Sequence, residues 1–264
     1  MAAKACRGAL AALGLGLICG GIGAAPSWAQ EAPKEPAKTA SRCDVPEDSL
    51  AAPAPLPHVV TALRQTKKLH ILAIGSPVGV GRGARKSYPV VLEGLLEKAL
   101  AGVDVEIVNR PMSGETVSTA AERIRTEVAL ARPDLLVWQV GGNDALQHIA
   151  PRQFEEDLLE GVRWAKANGV DVLLVGFEAN PWLHDEQEAN AMRDATKRVA
   201  LAENALYLRR FEAMQIVARA RKNAEQGDDP FPGDLGADCL AEQVSQALAA
   251  NLVLRRVRPE PIEP

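Results

Sequence analysis

The sequence predicts an α/β protein in which helices cover both faces of a parallel β-sheet. Five short apolar runs alternate along the chain with segments of helical periodicity. The runs are apolar throughout rather than at every second residue, as strands buried on both faces require. Three of them stop at a glycine, namely Gly75, Gly141 and Gly176.

The elements are predicted in a regular order. The strands are expected at Leu69–Ile74, Val103–Val108, Leu135–Val140, Val170–Val175 and Ala205–Leu208. The helices are expected at Val90–Leu100, Thr116–Ala131, Phe154–Asn168, Asp185–Ala202, Phe211–Glu225 and around Leu240–Leu248. Such a sheet binds ligands at the carboxyl ends of its strands. Function is therefore expected at residues 75–77, 109–114, 141–144 and 176–184.

Composition sets limits on the class of protein. The 264 residues are 47% hydrophobic and 24% charged, which is globular and excludes a collagen-like, low-complexity or wholly disordered chain. The formal net charge is -4. A mildly acidic chain lacks the electrostatic footprint of a general nucleic-acid binder, so no nucleic-acid partner is expected.

The first 29 residues are predicted to be a cleaved signal peptide. Lys4 and Arg7 precede an apolar run over residues 8–25, and the small residues Ser27 and Ala29 follow it. The alternative is a transmembrane anchor, for which this run is short and glycine-rich. No later stretch is long enough to span a bilayer. We therefore expect a periplasmic or secreted protein with no membrane span after signal removal.

The rest of the chain is divided into three parts. Residues 30–45 are rich in proline and charge and are predicted to be a disordered linker. A single domain is expected at 46–256 and a loose tail at 257–264. Within the domain, residues 46–57 indicate an irregular arm and 58–67 a short helix.

Two cysteines remain after the predicted signal, Cys43 and Cys239. In an oxidising compartment such a pair has one possible connectivity. The bridge would tie the N-terminal arm to the C-terminal helix. The alternative is one buried thiol and one exposed thiol.

Motifs at four predicted strand ends or helix starts carry a family resemblance. They are Ile71–Pro77 (Ile-Leu-Ala-Ile-Gly-Ser-Pro), Asn109–Gly114, Val140–Asp144 (Val-Gly-Gly-Asn-Asp) and Asp228–Gly236. In this order they resemble the SGNH or GDSL hydrolases, which cleave esters of lipids, sugars and acyl groups. The resemblance covers about residues 69–250. It implies a flavodoxin-like three-layer α/β/α sandwich with a five-stranded parallel sheet.

The resemblance also implies site roles, and two of the positions depart from the pattern. Gly114 and Asn143 match the oxyanion donors, and Asp228 matches the triad aspartate. Pro77 stands where the family has its nucleophilic serine, and Phe231 where it has its catalytic histidine. Proline has neither a hydroxyl nor a backbone N–H, so an oxyanion donor is lost with the nucleophile.

A displaced set of residues is the alternative to an inactive site. Ser76 adjoins the vacated position and could act as nucleophile, with His184 or His148 as base. Residues 185–264 contain no histidine, so the base cannot come from the family's usual segment. Ser113 is interpreted as a turn residue.

The leading hypothesis is an exported, catalytically inactive SGNH-like protein whose cleft binds an envelope glycan, an acyl ligand or a partner protein. The rival hypothesis is an active esterase with displaced residues, and a third is a structural partner in an envelope complex. Trp182, in a loop at the ligand end, could stack on a sugar ring. No cofactor is predicted, because the glycines of 79–83 are too close for a nucleotide loop. No metal is predicted either.

Overall fold

The computed structural model of the protein describes residues 43–75, 87–178, 185–223 and 235–257. Chain contacts define two units, Met1–Thr39 and Ala40–Pro264, and every described residue belongs to the second. Within the described ranges, no helix is both long enough and apolar enough to cross a bilayer.

Strands and helices alternate along this unit. The strands are β1 Ala51–Ala52, β2 Lys68–Gly75, β3 Asp104–Pro111, β4 Leu135–Gln139, β5 Asp171–Val175 and β6 Leu206–Leu208. The helices are α1 Glu47–Leu50, α2 Pro57–Gln65, α3 Tyr88–Ala99, α4 Val117–Ala131, α5 Gly142–Leu146, α6 Pro151–Ala167, α7 Glu186–Ala202, α8 Arg210–Asn223 and α9 Leu235–Val257.

The sheet has the order β1-β6-β5-β4-β2-β3. The five strands β2 to β6 are parallel, which confirms the predicted parallel sheet. The predicted total of five strands is wrong, because β1 adds a sixth, antiparallel strand at the edge. This strand is only Ala51–Ala52, within the arm predicted to be irregular. Two alanines carry no periodicity that could signal a strand.

The order of the strands fixes where a ligand site is expected. The chain runs from β2 outward to β3 and then returns to place β4 on the other side of β2. The direction of winding therefore reverses between β2 and β4. In an open parallel sheet this reversal opens a crevice at the carboxyl ends of the two strands.

Helices cover both faces, which gives the three-layer arrangement. Alternate residues of each central strand enter opposite cores: Leu135 and Val137 face one, Leu136 and Trp138 the other. α3 and α9 pack together on the first face, and α4, α6 and α7 pack in sequence on the second. Because both faces are buried, the strands need apolar residues at every position.

Cys43 and Cys239 form a disulfide, as predicted, with Sγ atoms 2.05 Å apart and Cα atoms 5.1 Å apart. Both are buried in a small cluster with Met214 and Val217 of α8 and Leu235 of α9. Val45 packs against the same cluster. The packed unit therefore includes Cys43 and Val45, the last residues of the segment predicted to be a linker.

Candidate functional site

The carboxyl ends of β2 and β4 touch at the point where winding reverses. Gly75, the last residue of β2, has φ +135°, and a Cβ there would lie 2.6 Å from Cβ of Gln139 at the end of β4. A larger residue would force the strand ends apart. The Met112 amide after β3 donates to the Gly75 carbonyl at 3.0 Å, so a third strand end joins them.

Side-chain hydrogen bonds join the two loops that carry the predicted oxyanion donors. Asn143, on α5 after β4, donates from Nδ2 to the Glu115 carbonyl at 2.9 Å. Gln147, one helical turn later, donates from Nε2 to the Gly114 carbonyl at 2.8 Å. Gly114 has φ +74° and a Cβ there would meet no atom within 4 Å. The structure therefore brings Gly114 and Asn143 to neighbouring positions at one edge of the sheet.

Asp144 connects α5 to the start of α4, beside the same two loops. Its side chain is buried, at 2% exposure, and Oδ1 accepts a hydrogen bond from the Val117 amide at 3.0 Å. Val117 is the first residue of α4, so a residue of α5 satisfies an amide at the start of another helix. Burial raises the pKa of Asp144, and the hydrogen bonds from backbone amides oppose that rise.

The turn from β4 into α5 packs against the residue that follows β5. Gly141 has φ +91°, and a Cβ there would lie 2.8 Å from Cε1 of Phe177. A Cβ on Gly142 would lie 3.4 Å from Cβ of the same phenylalanine. The two glycines let the Phe177 ring lie directly under the turn that presents Asn143.

Arg193 of α7 is buried between two aromatic rings. Its guanidinium carbon lies 4.6 Å from the ring centre of Phe177 and 3.7 Å from that of Phe211. Nη1 donates to Glu186 at 2.9 Å and to Asn190 at 2.8 Å. Nε and Nη2 are buried without a hydrogen-bond partner among the described residues. The charge is therefore stabilised by ring faces and one carboxylate, with two donors left over.

A second buried arginine, at the start of α8, joins that helix to α9. Arg210 lies 3.0 Å from Glu178 Oε2, and donates to Gln243 Oε1 and to the Gly236 carbonyl at 2.8 Å each. Burial lowers the pKa of Arg210, and Glu178 opposes that change. Burial also raises the pKa of Tyr88 at the start of α3, which the charge of Arg210 partly offsets. This network attaches α3 and α9 to the carboxyl edge of the sheet.

The histidines are distributed unequally. His148, just after α5, has Nδ1 3.1 Å from Glu188 Oε2 of α7, and its side chain is 76% exposed. His148 is the second residue after α5, the helix that carries Asn143. His70 lies in β2 near the amino edge, with Nε2 3.8 Å from Glu106, and His58 lies in α2. In the part of the chain that the structure describes, no three acidic, histidine or cysteine side chains are grouped to hold a metal ion.

Several predicted site residues lie outside the described residues and stay predictions. They are Ser76, Pro77, His184, Asp228 and Phe231, together with Trp182 and the 79–83 loop. Ser113 is described and lies in the exposed turn before Gly114.

The sequence gives no role to four residues that organise this edge. Gln147 and Glu115 connect the loops, Asp144 fixes α4, and Glu188 pairs with His148. Asp144 belongs to the Gly-Gly-Asn-Asp motif, and its position next to Asn143 is the only sequence feature that indicates a role for it. The partnerships of the others depend on how α4, α5 and α7 pack, so no local pattern indicates them.

Comparison with known proteins identifies the family. The model of the Non-GDSL lipase-like family matches residues 42–253, and the chain belongs to that family. Its relatives and structural neighbours include esterases of the SGNH class, so this is an SGNH hydrolase family member with the three-layer fold of that class.

Two curated relatives and one solved structure illustrate the similarity. Over 125 residues the chain is 33% identical to Esterase TesA of Pseudomonas aeruginosa, a match that covers 47% of this chain and 61% of that protein. The chain thus matches less than two thirds of that relative's length. It is 24% identical over 192 residues to the Arylesterase of Vibrio mimicus, covering 72% and 92% of the two proteins. A crystal structure of TesA aligns with a TM-score of 0.55 and 26% identity, covering 69% of this chain and 99% of that chain.

Proposed function

We propose that this protein is an exported SGNH hydrolase-like protein that binds an acyl-bearing ligand in its cleft without hydrolysing it. The observation that carries the proposal is the pair of departures from the family pattern, Pro77 at the nucleophile position and Phe231 at the histidine position. A serine hydroxyl is a weak nucleophile without a base, and here both partners are replaced. The covalent route of the family has no residues at its usual positions.

The retained donor geometry supports binding. Asn143 and Gly114 lie on adjoining loops, which the bonds from Asn143 to Glu115 and from Gln147 to Gly114 connect. An amide has two N–H donors, and the bond to Glu115 uses one of the two on Asn143 Nδ2. The second N–H has no acceptor among the described residues, and we propose that it binds the carbonyl oxygen of an ester or amide.

Exposed apolar side chains beside these donors favour an acyl ligand over a bare sugar. Met112 is 46% exposed just before Gly114, and Leu146 is 39% exposed three residues after Asn143. An acyl chain lying over them would remove their apolar surface from water. In this proposal the carbonyl binds to Asn143 and the alkyl chain lies over Met112 and Leu146. A glycan carrying an acyl group fits the same description.

The disulfide supports the proposal of export. Cys43 and Cys239 are both buried and bonded, and such bonds persist in the periplasm and outside the cell. Intact-mass analysis of protein recovered from the periplasm tests this directly. We expect a chain that begins near Gln30 with the disulfide formed. An uncleaved chain would contradict the proposed export route.

A second candidate function is an active esterase that uses Ser76 with His148, and one contact favours it. Glu188 lies 3.1 Å from Nδ1 of His148, and a carboxylate on that nitrogen holds the imidazole in the tautomer whose Nε2 can accept a proton. This exposed pair has the chemistry of a base and its orienting acid. His184 as the base stays a prediction.

A fluorophosphonate probe distinguishes the two functions. The purified protein and the variants Ser76→Ala and His148→Gln are incubated with the probe, and their intact masses are compared. We expect no adduct on the wild-type chain. An adduct that disappears in Ser76→Ala and weakens in His148→Gln would instead establish the second candidate.

Restoring the family residues provides the positive control. If the cleft is otherwise intact, the double variant Pro77→Ser/Phe231→His should gain a probe adduct and hydrolysis of p-nitrophenyl butyrate. Neither gain is expected in Pro77→Ser alone, because the serine would lack its base.

Binding is measured with a non-hydrolysable ligand, N-methyloctanamide. We expect Asn143→Ala to weaken its binding about tenfold, the effect of losing a hydrogen bond of about 1.5 kcal/mol. Gln153→Ala is the matched control, since that exposed amide lies on α6 and bonds to Asp157. Equal binding by the Asn143 variant and the wild type would contradict the proposed site.

A further inference from the structure

A small cavity lies at the edge of the sheet, between β1, β6 and the end of α7. Its volume is about 210 Å³. Ala52 and Tyr207, which are paired across β1 and β6, contribute to its lining, as do Ala54 of the following segment and Ala200 of α7. The lining is mostly apolar, and its polar side chains besides Tyr207 are Lys197, Arg209 and Asn204. Pockets that hold drug-sized molecules have about 300–1,000 Å³, so this cavity suits a smaller ligand.

The two basic side chains lack the carboxylate partners that their neighbours have. On α7, Arg193 pairs with Glu186 and Arg198 with Glu155, the latter at 2.6 Å. Lys197, between them in sequence, forms no ion pair with any described residue.

Arg209, the residue after β6, also forms no ion pair with a described residue. Its Nη2 is 3.4 Å from the Ala51 carbonyl, and its Nε is buried with no hydrogen-bond partner among the described residues. The next residue, Arg210, by contrast lies 3.0 Å from Glu178.

Two carboxylates act on the same region without neutralising these cations. Glu212 and Asp194 lie close enough to the Tyr207 hydroxyl to influence it electrostatically, as do Arg193 and Arg209. Neither Glu212 nor Asp194 forms an ion pair with a cavity cation among the described contacts. The cavity is therefore lined by two positive side chains, the exposed Lys197 and the half-buried Arg209, that form no ion pair with a described residue.

We propose that this cavity binds a small organic carboxylate with a short apolar body. The carboxylate would accept hydrogen bonds from Lys197 and Arg209, and the apolar body would lie against Ala52, Ala200 and the ring of Tyr207. Charge-assisted bonds to a carboxylate satisfy both cations, and the alanines leave space for a few carbon atoms. Inorganic phosphate would satisfy the cations but would make no use of the apolar walls.

The site is independent of the cleft proposed above. The cleft lies at the carboxyl ends of β2 and β4, whereas the cavity lies beyond β6, two strands away from β4. A test of binding at the cavity therefore does not depend on whether the cleft binds or hydrolyses an ester.

The test is ligand-observed saturation-transfer NMR on the purified protein with sodium butyrate, its neutral analogue butyramide, and competing inorganic phosphate. We expect a butyrate signal, no butyramide signal and weak competition by phosphate. Lys197→Met and Arg209→Met should each weaken butyrate binding about tenfold or more. Arg198→Met is the matched control on α7, and it should bind butyrate like the wild type.

A cavity-filling variant tests the apolar half of the proposal. Ala52→Leu should abolish butyrate binding while leaving both cations in place. Circular dichroism establishes that each variant is folded, and Lys197→Met decides the matter if Arg209→Met does not fold. The proposal is wrong if butyrate does not bind the wild type, if butyramide binds equally, or if Lys197→Met binds butyrate unchanged. Tight phosphate binding that survives Ala52→Leu would also overturn it.

Discussion

The amino edge of the sheet, where the parallel strands begin, and its carboxyl edge, where they end, use buried charged residues differently. At the amino edge, buried or half-buried carboxylates are matched to backbone amides: Asp171 accepts from Val59 at 2.9 Å, and Asp134 accepts from His70 at 2.9 Å. At the carboxyl edge, Arg193 and Arg209 keep buried donors that no described residue satisfies. At the amino edge the buried carboxylates accept hydrogen bonds from backbone amides of the chain. At the carboxyl edge some buried donors have no acceptor among the described residues.

Glycines show the same contrast. Gly102 and Gly169, before β3 and β5, have positive φ, but a Cβ on either would meet nothing closer than 3.6 Å. Gly75 and Gly141, after β2 and β4, have positive φ and would also clash, at 2.6 Å and 2.8 Å. At the amino edge glycine only turns the chain. At the carboxyl edge it also allows close packing under the residues that present the donors.

Removing the disulfide should have the largest effect and should fall mainly on the carboxyl edge. The bond closes a loop with a sequence separation of 196 residues, and we expect Cys43→Ala/Cys239→Ala to lose about 2–5 kcal/mol of unfolding free energy. Because Cys239 lies in the second turn of α9, hydrogen exchange should accelerate there first. β2 amides serve as the internal control. Equal acceleration in β2 would contradict the regional difference.

Matched glycine substitutions compare the two edges directly. Gly141→Ala has a strained φ and a clash with Phe177, and should cost about 2–5 kcal/mol in urea unfolding. Gly169→Ala has the strained φ alone and should cost about 1–2 kcal/mol. Equal costs would mean that Phe177 moves aside without resistance and that the carboxyl edge is not tightly packed.

Substitutions of Arg193 test whether its buried Nε and Nη2 groups have no hydrogen-bond partner. Arg193→Ala should cost about 2–4 kcal/mol, because it leaves a cavity between Phe177 and Phe211. Arg193→Met should change stability by less than about 1 kcal/mol. Met fills the space and removes two buried donors, which offsets the lost cation–π contacts. If Met costs as much as Ala, the guanidinium has a partner that the described residues do not include.

The smallest expected effect is a difference in pH dependence between two buried aspartates. Burial raises the pKa of Asp144, and the charge of Asp157 adds to the rise. Burial also raises the pKa of Asp171, but His58 and Lys166 oppose it. We therefore expect the stronger pH dependence at Asp144, on the carboxyl edge.

The sign of the pH dependence of the unfolding free energy follows from proton binding. A carboxyl whose pKa is raised on folding binds protons more tightly in the folded chain, so its stabilising contribution is complete below the unfolded pKa. That contribution disappears as pH rises through the raised, folded pKa. The unfolding free energy of the wild type should thus fall relative to Asp144→Asn as pH increases from about 3 to 7. A constant difference between the two, measured in urea, would rule out the raised pKa.

The candidate site was predictable only in part. The resemblance to the SGNH hydrolases identified Gly114 and Asn143, and the parallel sheet predicted that the strand ends they follow share one edge. The sequence did not indicate the pairing of His148 with Glu188, which are 40 residues apart and meet only because α7 packs beside α5.

The cavity beyond β6 had no sequence signal at all. Ala52 lies in a two-residue strand, and Lys197 and Arg209 lie on separate elements. Nothing in their spacing distinguishes them from ordinary surface residues. Their significance depends on which neighbouring cations are paired, and only packed coordinates reveal that.

The sequence by itself determined the layered fold, the five parallel strands and the disulfide partners. Apolar periodicity and strand ends are local properties, and the two cysteines outside the predicted signal peptide have one connectivity. Tertiary structure alone decided the sixth strand, the capping of α4 by Asp144, the orphaned donors of Arg193 and Arg209, and the edge cavity. Those features depend on contacts between residues far apart in the chain. Such contacts arise from how whole helices and strands pack, and no local pattern encodes them.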